Sequence, residues 1–334
     1  MKENSNNKNS EEVCPLSPDA NDGPSCPLSG DKEFWHRKAV EAIVRGMGIS
    51  PDAITCLSSL KKGITNRSFF FAARGRKYLL RLPGEGTDKL IDRHAEAETY
   101  ATIHPHGLCD KLIWLDSATG TKISEFEETA RTCNPLNYSD VCRCMAFLRA
   151  FHRMELHVSH QFDLFAQIDF YESLWNGTPS MYGDYAETKS AVFALRPFVL
   201  AHRRPDVLAH LDSIHDNFLF VRREEREEIL LIDWEYASMQ DPDVDLAMFA
   251  IYALYDGPQI DALIDAYYPE GCGAAIRAKI YAYVAICGLL WSNWCEFKRL
   301  HGVEFGGYAL RQYRYAREFA AKVGIIIHAQ AKQE

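Results

Sequence analysis

The spacing of apolar residues divides the chain into a strand-rich first part and a helix-rich second part. Between Trp35 and about Met47 apolar residues recur at helical intervals, which predicts an amphipathic helix. Five β-prone runs follow, and a helical stretch that begins with Thr87 as a capping residue separates the third run from the fourth. In chain order the runs are ITCLSSL, RSFFFAA, KYLLRL, LIWLD and TKISEF. We therefore predict a small antiparallel sheet with one inserted helix.

The pattern becomes mostly helical after Asn137. One exception is the pair of runs FLFV and EILLID, which the charged block RREEREE separates and which predicts an antiparallel hairpin. The longest apolar run, from Ile280 to Trp291, is shorter than the ~20 residues of a membrane span and predicts a buried helix rather than membrane insertion. These elements define an α+β class. We expect a disordered tail over residues 1–31, a first lobe over 32–127 and a second lobe over 128–334.

Composition narrows the class of partner. The 334 residues carry 46 acidic against 37 basic side chains, a net charge of -9, which argues against nucleic acid or an anionic membrane surface as the partner. Small cationic substrates fit this balance better. The ten cysteines show no disulfide framework, and the polar N-terminus lacks the apolar segment of a signal peptide, so we expect reduced thiols and a cytoplasmic location. The segment CPLS occurs twice in the tail, and we interpret this short repeat as a coincidence.

The hairpin predicts a cluster of oxygen ligands. Because paired strands lie about 4.8 Å apart, Asn217 before the first strand and Asp233 at the end of the second are expected side by side. One amide and one carboxylate, with room for water and phosphate, suit Mg²⁺ better than zinc or iron. Asp212, on the loop that enters the hairpin, is positioned to accept a proton from an attacking hydroxyl. Taken alone, the motif HxDxxxxN is weak evidence for such a site, since these residues are also common in turns.

The order of these residues is that of the eukaryotic-like kinases, with His210-Leu211-Asp212 and Ile232-Asp233-Trp234 in place of their HRD and DFG motifs. IDWEYA with DPDVDLA in the second lobe, and GITNRSF with LLRLPGEGTDKLIDRHAE in the first, resemble the choline and ethanolamine kinases, above all the bacterial choline kinases. The likeness spans about residues 53–319. It implies a protein-kinase-like fold of two lobes that binds ATP and Mg²⁺.

The resemblance assigns roles in the second lobe. Asp212 would be the catalytic base, while Asn217 and Asp233 would hold Mg²⁺ on the nucleotide phosphates. His210 would brace the loop through a hydrogen bond to Asp245 rather than act as a base. Both His210 and Asp245 are also compatible with ordinary capping and core positions.

The resemblance assigns nucleotide contacts in the first lobe. A turn would cover the phosphates with its backbone N–H groups and side chains, although a hairpin turn explains it equally well; its residues are Gly63, Thr65, Asn66 and Ser68. Arg81 would contact phosphate, with Glu96 as its ion-pair partner and Glu98 as a competing partner. The segment from Ser124 to Phe126 would be the hinge whose backbone meets the adenine.

The acceptor pocket rests on aromatic residues. A quaternary ammonium has no N–H group, so aromatic faces and carboxylates recognise it. Trp291 and Trp294 share one face of a predicted helix, although such a stripe is usually core, and the resemblance makes them cage walls with Tyr308. Further wall candidates are Tyr255 and Tyr313. Animal choline kinases have a pocket Glu where this chain has Tyr252, and Asp256 is a candidate substitute.

We therefore predict an ATP- and Mg²⁺-dependent kinase that phosphorylates the hydroxyl of choline. Ethanolamine, thiamine or an aminoglycoside are the alternative acceptors. A catalytically silent binding module of the same fold is a weaker alternative, because such a module is expected to lack one of Asp212, Asn217 and Asp233. The sequence leaves the oligomeric state, the nucleotide preference and the purpose of the tail open.

Overall fold

The computed structural model describes residues 32–60, 66–84, 87, 90–330 and 332. The predicted tail and the glycine turn at Gly63 and Thr65 lie outside the described residues. The helices are α1 Lys32–Met47, α2 Arg93–Ile103, α3 Tyr138–His152, α4 Leu164–Ser173, α5 Tyr185–Phe193, α6 Arg196–His202, α7 Asp243–Tyr252, α8 Gly257–Tyr267, α9 Ala274–Leu300 and α10 Gly307–Gln330. The strands are β1 Ile54–Ser59, β2 Asn66–Ala73, β3 Arg76–Pro83, β4 Leu112–Leu115, β5 Lys122–Glu125, β6 Arg131–Thr132, β7 Val207–Ala209, β8 Phe218–Arg223, β9 Arg226–Leu231 and β10 Ser238–Gln240.

The first five strands form the predicted antiparallel sheet, in the order β1-β2-β3-β5-β4. Its alternating apolar residues pack against α1 around Trp35, Phe71 and Leu80 in a small core. Arg74 and Gly75 both have positive φ and form the tight turn between β2 and β3. The α+β class predicted from the sequence is confirmed.

Helix α2 begins later than the sequence pattern predicts. Asp92, not Thr87, is its N-cap, and its carboxylate accepts hydrogen bonds from the N–H groups of His94 and Ala95 at 2.9 and 3.1 Å. The Thr87 hydroxyl instead donates to the Gly84 carbonyl at 2.8 Å. A carboxylate at the N-terminus is the stronger capping group because it also interacts favourably with the helix dipole.

The helix-rich part of the chain packs around α9. The apolar run from Ile280 to Trp291 lies within this helix, and its residues are buried. Among the described residues α9 is the one helix long and apolar enough to cross a membrane, but 78% of its most apolar window is buried inside the protein. It is therefore the core helix that the sequence predicts. The hairpin β8–β9 lies at one side of this core, and the short strand β6 pairs with β8 and extends it to three strands.

Candidate active site

The loop that carries Asp212 is held by Asp245 at the start of α7. The Asp245 carboxylate accepts hydrogen bonds from the backbone N–H groups of His210 and Leu211 at 2.9 and 2.7 Å. Leu211 has a φ of 61°, an unusual value for a branched residue, and these two hydrogen bonds hold the turn in that conformation. His152 of α3 approaches the same carboxylate at 2.9 Å through its Nε2.

His210 makes the predicted hydrogen bond to Asp245 through its backbone N–H, whereas its ring has other partners. Its Nδ1 accepts from the backbone N–H of Asp212 at 3.3 Å, so the proton is on Nε2, which donates to the Ile232 carbonyl at 3.0 Å. Burial lowers the pKa of His210, which keeps the ring neutral. The ring therefore ties the Asp212 loop to the end of the hairpin, while the His210 backbone makes the contact with Asp245.

The hairpin brings Asn217 and Asp233 together as its strand pairing requires. The Ile232 N–H donates to the Asn217 carbonyl at 3.0 Å, so Asp233 is the next residue beyond the last pair. The Asn217 side-chain amide donates to the backbone carbonyl of Asp212 at 2.9 Å. This contact uses the nitrogen of the amide and leaves its oxygen for another partner.

Unbalanced negative charge surrounds Asp212. Its carboxyl group is buried, and its Oδ1 has no hydrogen-bond partner. Burial raises the pKa of Asp212 well above its usual range, and the charges of Asp233 and Glu235 raise it further, while hydrogen bonds from Asn217 and Tyr252 oppose the shift. A cation between these groups would relieve the repulsion.

The residues at this position fit a magnesium ion better than a metal held by the protein alone. Asn217 and Asp233 offer oxygen ligands, which Mg²⁺ prefers. In the described part of the chain, no group of three or more His, Cys, Asp or Glu side chains is arranged to hold a metal ion. Phosphate and water oxygens would therefore complete the coordination, as is usual for Mg²⁺ bound with a nucleotide.

Arg81 of β3 points into the same site and makes the predicted ion pair with Glu96 of α2. Its guanidinium also donates to Asp233 at 3.0 Å and to the Gly120 carbonyl at 2.9 Å. Burial lowers the pKa of Arg81, but the charges of Glu96, Glu235 and Asp233 outweigh that effect and raise it, so the side chain is charged. The fork of Arg81 thus connects the sheet, helix α2 and the hairpin end.

Sequence reasoning missed Glu235 and Arg93. The buried Glu235 carboxylate accepts from Asn66 at 3.0 Å and from Arg93 at 3.1 Å, and it lies 3.5 Å from Arg81. Glu235 belongs to the IDWEYA segment, so the resemblance to the family contains a signal for it. Asn66 begins β2 and therefore lies at this site, and Ser68 pairs with Arg81 across the two strands.

The predicted hinge occupies the expected strand end, but its N–H groups are already used. The N–H of Phe126 donates to the Lys77 carbonyl at 3.0 Å, and that of Glu125 donates to the Lys111 carbonyl at 2.9 Å. Ser124 is buried beside Asp110. These two N–H groups are therefore paired within the sheet, and the contact of this backbone segment with adenine stays a prediction.

An aromatic cluster lies next to Asp212. We use this name for five side chains, Tyr236, Tyr252, Trp291, Trp294 and Tyr308. The two tryptophan rings meet edge to face with centroids 5.3 Å apart, and Tyr252 contacts Trp291 at 5.3 Å and Tyr308 at 6.0 Å. Tyr252 lies close enough to Asp212 to oppose the rise in its pKa, so the cluster lies beside the candidate base.

Three other pocket candidates lie elsewhere. The Tyr255 hydroxyl donates to the Pro135 carbonyl, so this ring is a core residue. Tyr313 stacks on Tyr182 with centroids 3.8 Å apart and donates to Asp184 at 2.8 Å. Asp256 caps α8 through a capping box with Gln259 and does not replace the pocket Glu. In this chain Tyr252 occupies the sequence position of the pocket Glu.

Solved structures share this architecture. The choline kinase LicA from Streptococcus pneumoniae superposes with a TM-score of 0.75 at 24% identity, covering 86% of this chain and 99% of the other. A choline/ethanolamine kinase family protein from Mesorhizobium loti superposes with a TM-score of 0.69 at 25% identity, covering 85% and 94%. Fold and site together define a small-molecule phosphotransferase of the kinase-like class.

Sequence comparison identifies the family within that class. The model of the choline/ethanolamine kinase family matches residues 57–264, which is more than half of the chain. Protein LicA from Haemophilus influenzae is 26% identical over 266 residues, covering 75% of this chain and 76% of that protein. The chain belongs to the choline/ethanolamine kinase family.

Proposed function

We propose that this enzyme transfers the γ-phosphate of ATP to the hydroxyl of choline. The observation that carries the proposal is the aromatic cluster beside Asp212. Tyr252 belongs to the cluster and lies close enough to Asp212 to influence its pKa, so an acceptor whose charged end lies against these rings has its other end near the candidate base. Choline, a quaternary ammonium two carbons from a hydroxyl, has this shape and charge.

The chemistry of the cluster favours a quaternary ammonium over a primary one. Aromatic faces attract a cation that has no N–H group, whereas the three N–H groups of the ethanolamine ammonium need hydrogen-bond acceptors. Tyr252 supplies a ring where animal choline kinases have a carboxylate. Glu296, the carboxylate next to the cluster in α9, already accepts from Ser180 and from the Met181 N–H at 3.0 Å. Ethanolamine remains the alternative acceptor, since the family includes kinases of both.

The site residues divide the work of phosphoryl transfer. Asp212 Oδ1, which has no other partner, accepts the proton of the acceptor hydroxyl while that oxygen forms its bond to the γ-phosphorus and the bond to the β-phosphate oxygen breaks. Arg81 holds phosphate, and Asn217 and Asp233 would hold Mg²⁺. When bound, Mg²⁺ supplies neutralisation of the phosphate charge. A solved structure of LicA with the same fold, TM-score 0.73, is a complex with AMP, which supports nucleotide binding by this chain.

We further propose that the enzyme works in the cytoplasm. The eight cysteines among the described residues are free thiols, and six of them are buried or partly buried core residues rather than surface cross-links. ATP, the proposed phosphoryl donor, is also a cytoplasmic metabolite.

The proposal is tested by ADP release from ATP and Mg²⁺ with choline, ethanolamine, thiamine and kanamycin offered separately. We expect release with choline, its loss in Asp212→Asn, and full activity in Asp216→Asn. Asp216 is a matched control because it lies on the same loop with its side chain 67% exposed. Release with a different acceptor alone would keep the kinase and refute choline, and no acceptor-dependent release would favour a binding module.

A further inference from the structure

The two glutamates of helix α2 face different parts of the molecule. Glu96 and Glu98 are two residues apart, so they lie on different faces of the helix. The Glu96 side chain is fully buried against Arg81, whereas the Glu98 side chain is 39% exposed and points toward the segment between α3 and α4. Glu98 is therefore not the competing partner of Arg81 that the sequence suggested.

The segment between α3 and α4 binds Glu98 through two consecutive residues. The Glu98 carboxylate accepts from the Ser159 N–H at 2.8 Å and from the Ser159 hydroxyl at 2.7 Å, and it lies 3.2 Å from His160 Nδ1. The hydrogen bonds from Ser159 lower the pKa of Glu98, which keeps it ionised. A carboxylate with this many donors has a defined position, unlike a single surface ion pair.

His160 extends this contact to the segment that follows Asp233. Its Nε2 lies 2.9 Å from the Ala237 carbonyl, and its own carbonyl accepts from the Met239 N–H at 3.1 Å. Glu235 in the same segment accepts from Arg93 in the first turn of α2 at 3.1 Å. The segment after Asp233 thus contacts the first turn of α2 directly, through Glu235, and the second turn indirectly, through His160.

Helix α2 is also packed into the larger core. Tyr100 and Ile103 are buried in the cluster formed mainly by the helix-rich part of the chain, whereas the sheet has a core of its own. Arg81 belongs to the sheet, and its partner Glu96 belongs to a helix fixed to the other lobe. The position of the guanidinium consequently depends on how α2 is held.

We propose that Glu98, Ser159 and His160 are positioning residues for phosphoryl transfer. They hold α2 in the rotation and depth at which Glu96 orients Arg81 toward the nucleotide phosphates. They contact neither substrate, and they act through Arg81. The inference rests on the proposed function in one respect, the assignment of Arg81 to phosphate.

The direct test is the affinity for Mg²⁺ and the non-hydrolysable nucleotide AMP-PNP, measured calorimetrically with no acceptor present. We expect Glu98→Gln to weaken binding by about two- to tenfold, in the range of indirect coupling effects. Glu187→Gln is the matched control, because Glu187 is an exposed glutamate of α5. In kinetics, the KM for ATP should rise in Glu98→Gln while the KM for choline stays constant.

A double-mutant cycle separates positioning from general stability. Arg81→Lys should weaken nucleotide binding, because an ammonium cannot reproduce the fork, and Glu98→Gln should add little in that background. An equal loss from Glu98→Gln in both backgrounds would overturn the inference, as would a lower melting temperature with unchanged nucleotide affinity. If Arg81→Lys leaves the affinity unchanged, the phosphate assignment fails and the inference fails with it. If only Glu98→Gln is without effect, the positioning role alone fails.

Discussion

Replacing Trp291 by Leu removes an aromatic face from the proposed acceptor pocket while keeping an apolar side chain. Trp291 is 5% exposed and is the member of the aromatic cluster that contacts Tyr252, Trp294 and Tyr236. A desolvated cation–π contact contributes about 0.5–2 kcal/mol. Since about 1.4 kcal/mol corresponds to a factor of ten, the KM for choline should rise about 2- to 30-fold. The KM for ATP should stay constant, because the ring does not face the phosphate contacts.

The assay is steady-state ADP release with each substrate varied at saturation of the other. Trp114→Leu is the control, since Trp114 lies on β4 in the other lobe, and it should change neither KM. Trp294→Ala should also raise the KM for choline more than that for ATP. Melting curves must show that each variant is folded at the assay temperature, because truncating a buried Trp to Ala lowers the free energy of unfolding by about 3–5 kcal/mol. Equal rises in both KM values would make these rings ordinary core and refute the pocket.

Three further changes probe the base, the core and the sheet. Asp212→Asn should lower turnover by at least about 100-fold. It should also raise the melting temperature of the metal-free protein increasingly with pH, because a raised pKa means that stability is lost as Asp212 ionises; a lower melting temperature at pH 8 would contradict this. Lys279→Met leaves the buried Asp241, 2.6 Å from the ammonium, without its cationic partner. Urea unfolding should then show a loss of about 3–5 kcal/mol in the free energy of unfolding, and a loss below about 1 kcal/mol would contradict this. Gly120→Ala places a Cβ against the Arg93 side chain at a φ of +75°, which is strained for alanine. Because the Gly120 carbonyl also accepts from Arg81, calorimetry should show weaker nucleotide binding, and an unchanged affinity would contradict this.

The loop that carries Asp212 and the hairpin were predictable because local rules determine them. Strand pairing alone places Asn217 beside the end of β9, and five residues of loop suffice to bring Asp212 to the same point. The resemblance to the family then supplied the ion pair between Arg81 and Glu96, which spacing along the chain does not reveal. The structure contains this ion pair.

The remaining features depend on contacts between distant segments. The His210 ring binds the Ile232 carbonyl, while the backbone N–H of His210 binds Asp245. Tyr255 is a pocket candidate by residue type, but its hydroxyl donates to the Pro135 carbonyl. Neither orientation leaves a signal in the order of residues. The same holds for the contact of Glu98 with His160, which lies 62 positions away.

In the proposed function, Asp212 and the aromatic cluster together direct phosphate to choline. Phosphorus NMR of a reaction with ATP, Mg²⁺ and an equimolar mixture of choline and ethanolamine identifies the phosphate ester that forms. We expect phosphocholine as the main product with the unaltered enzyme, and no detectable ester with Asp212→Asn in the same time. Phosphoethanolamine as the main product, or ester formed by Asp212→Asn at the rate of the unaltered enzyme, would refute the proposed function.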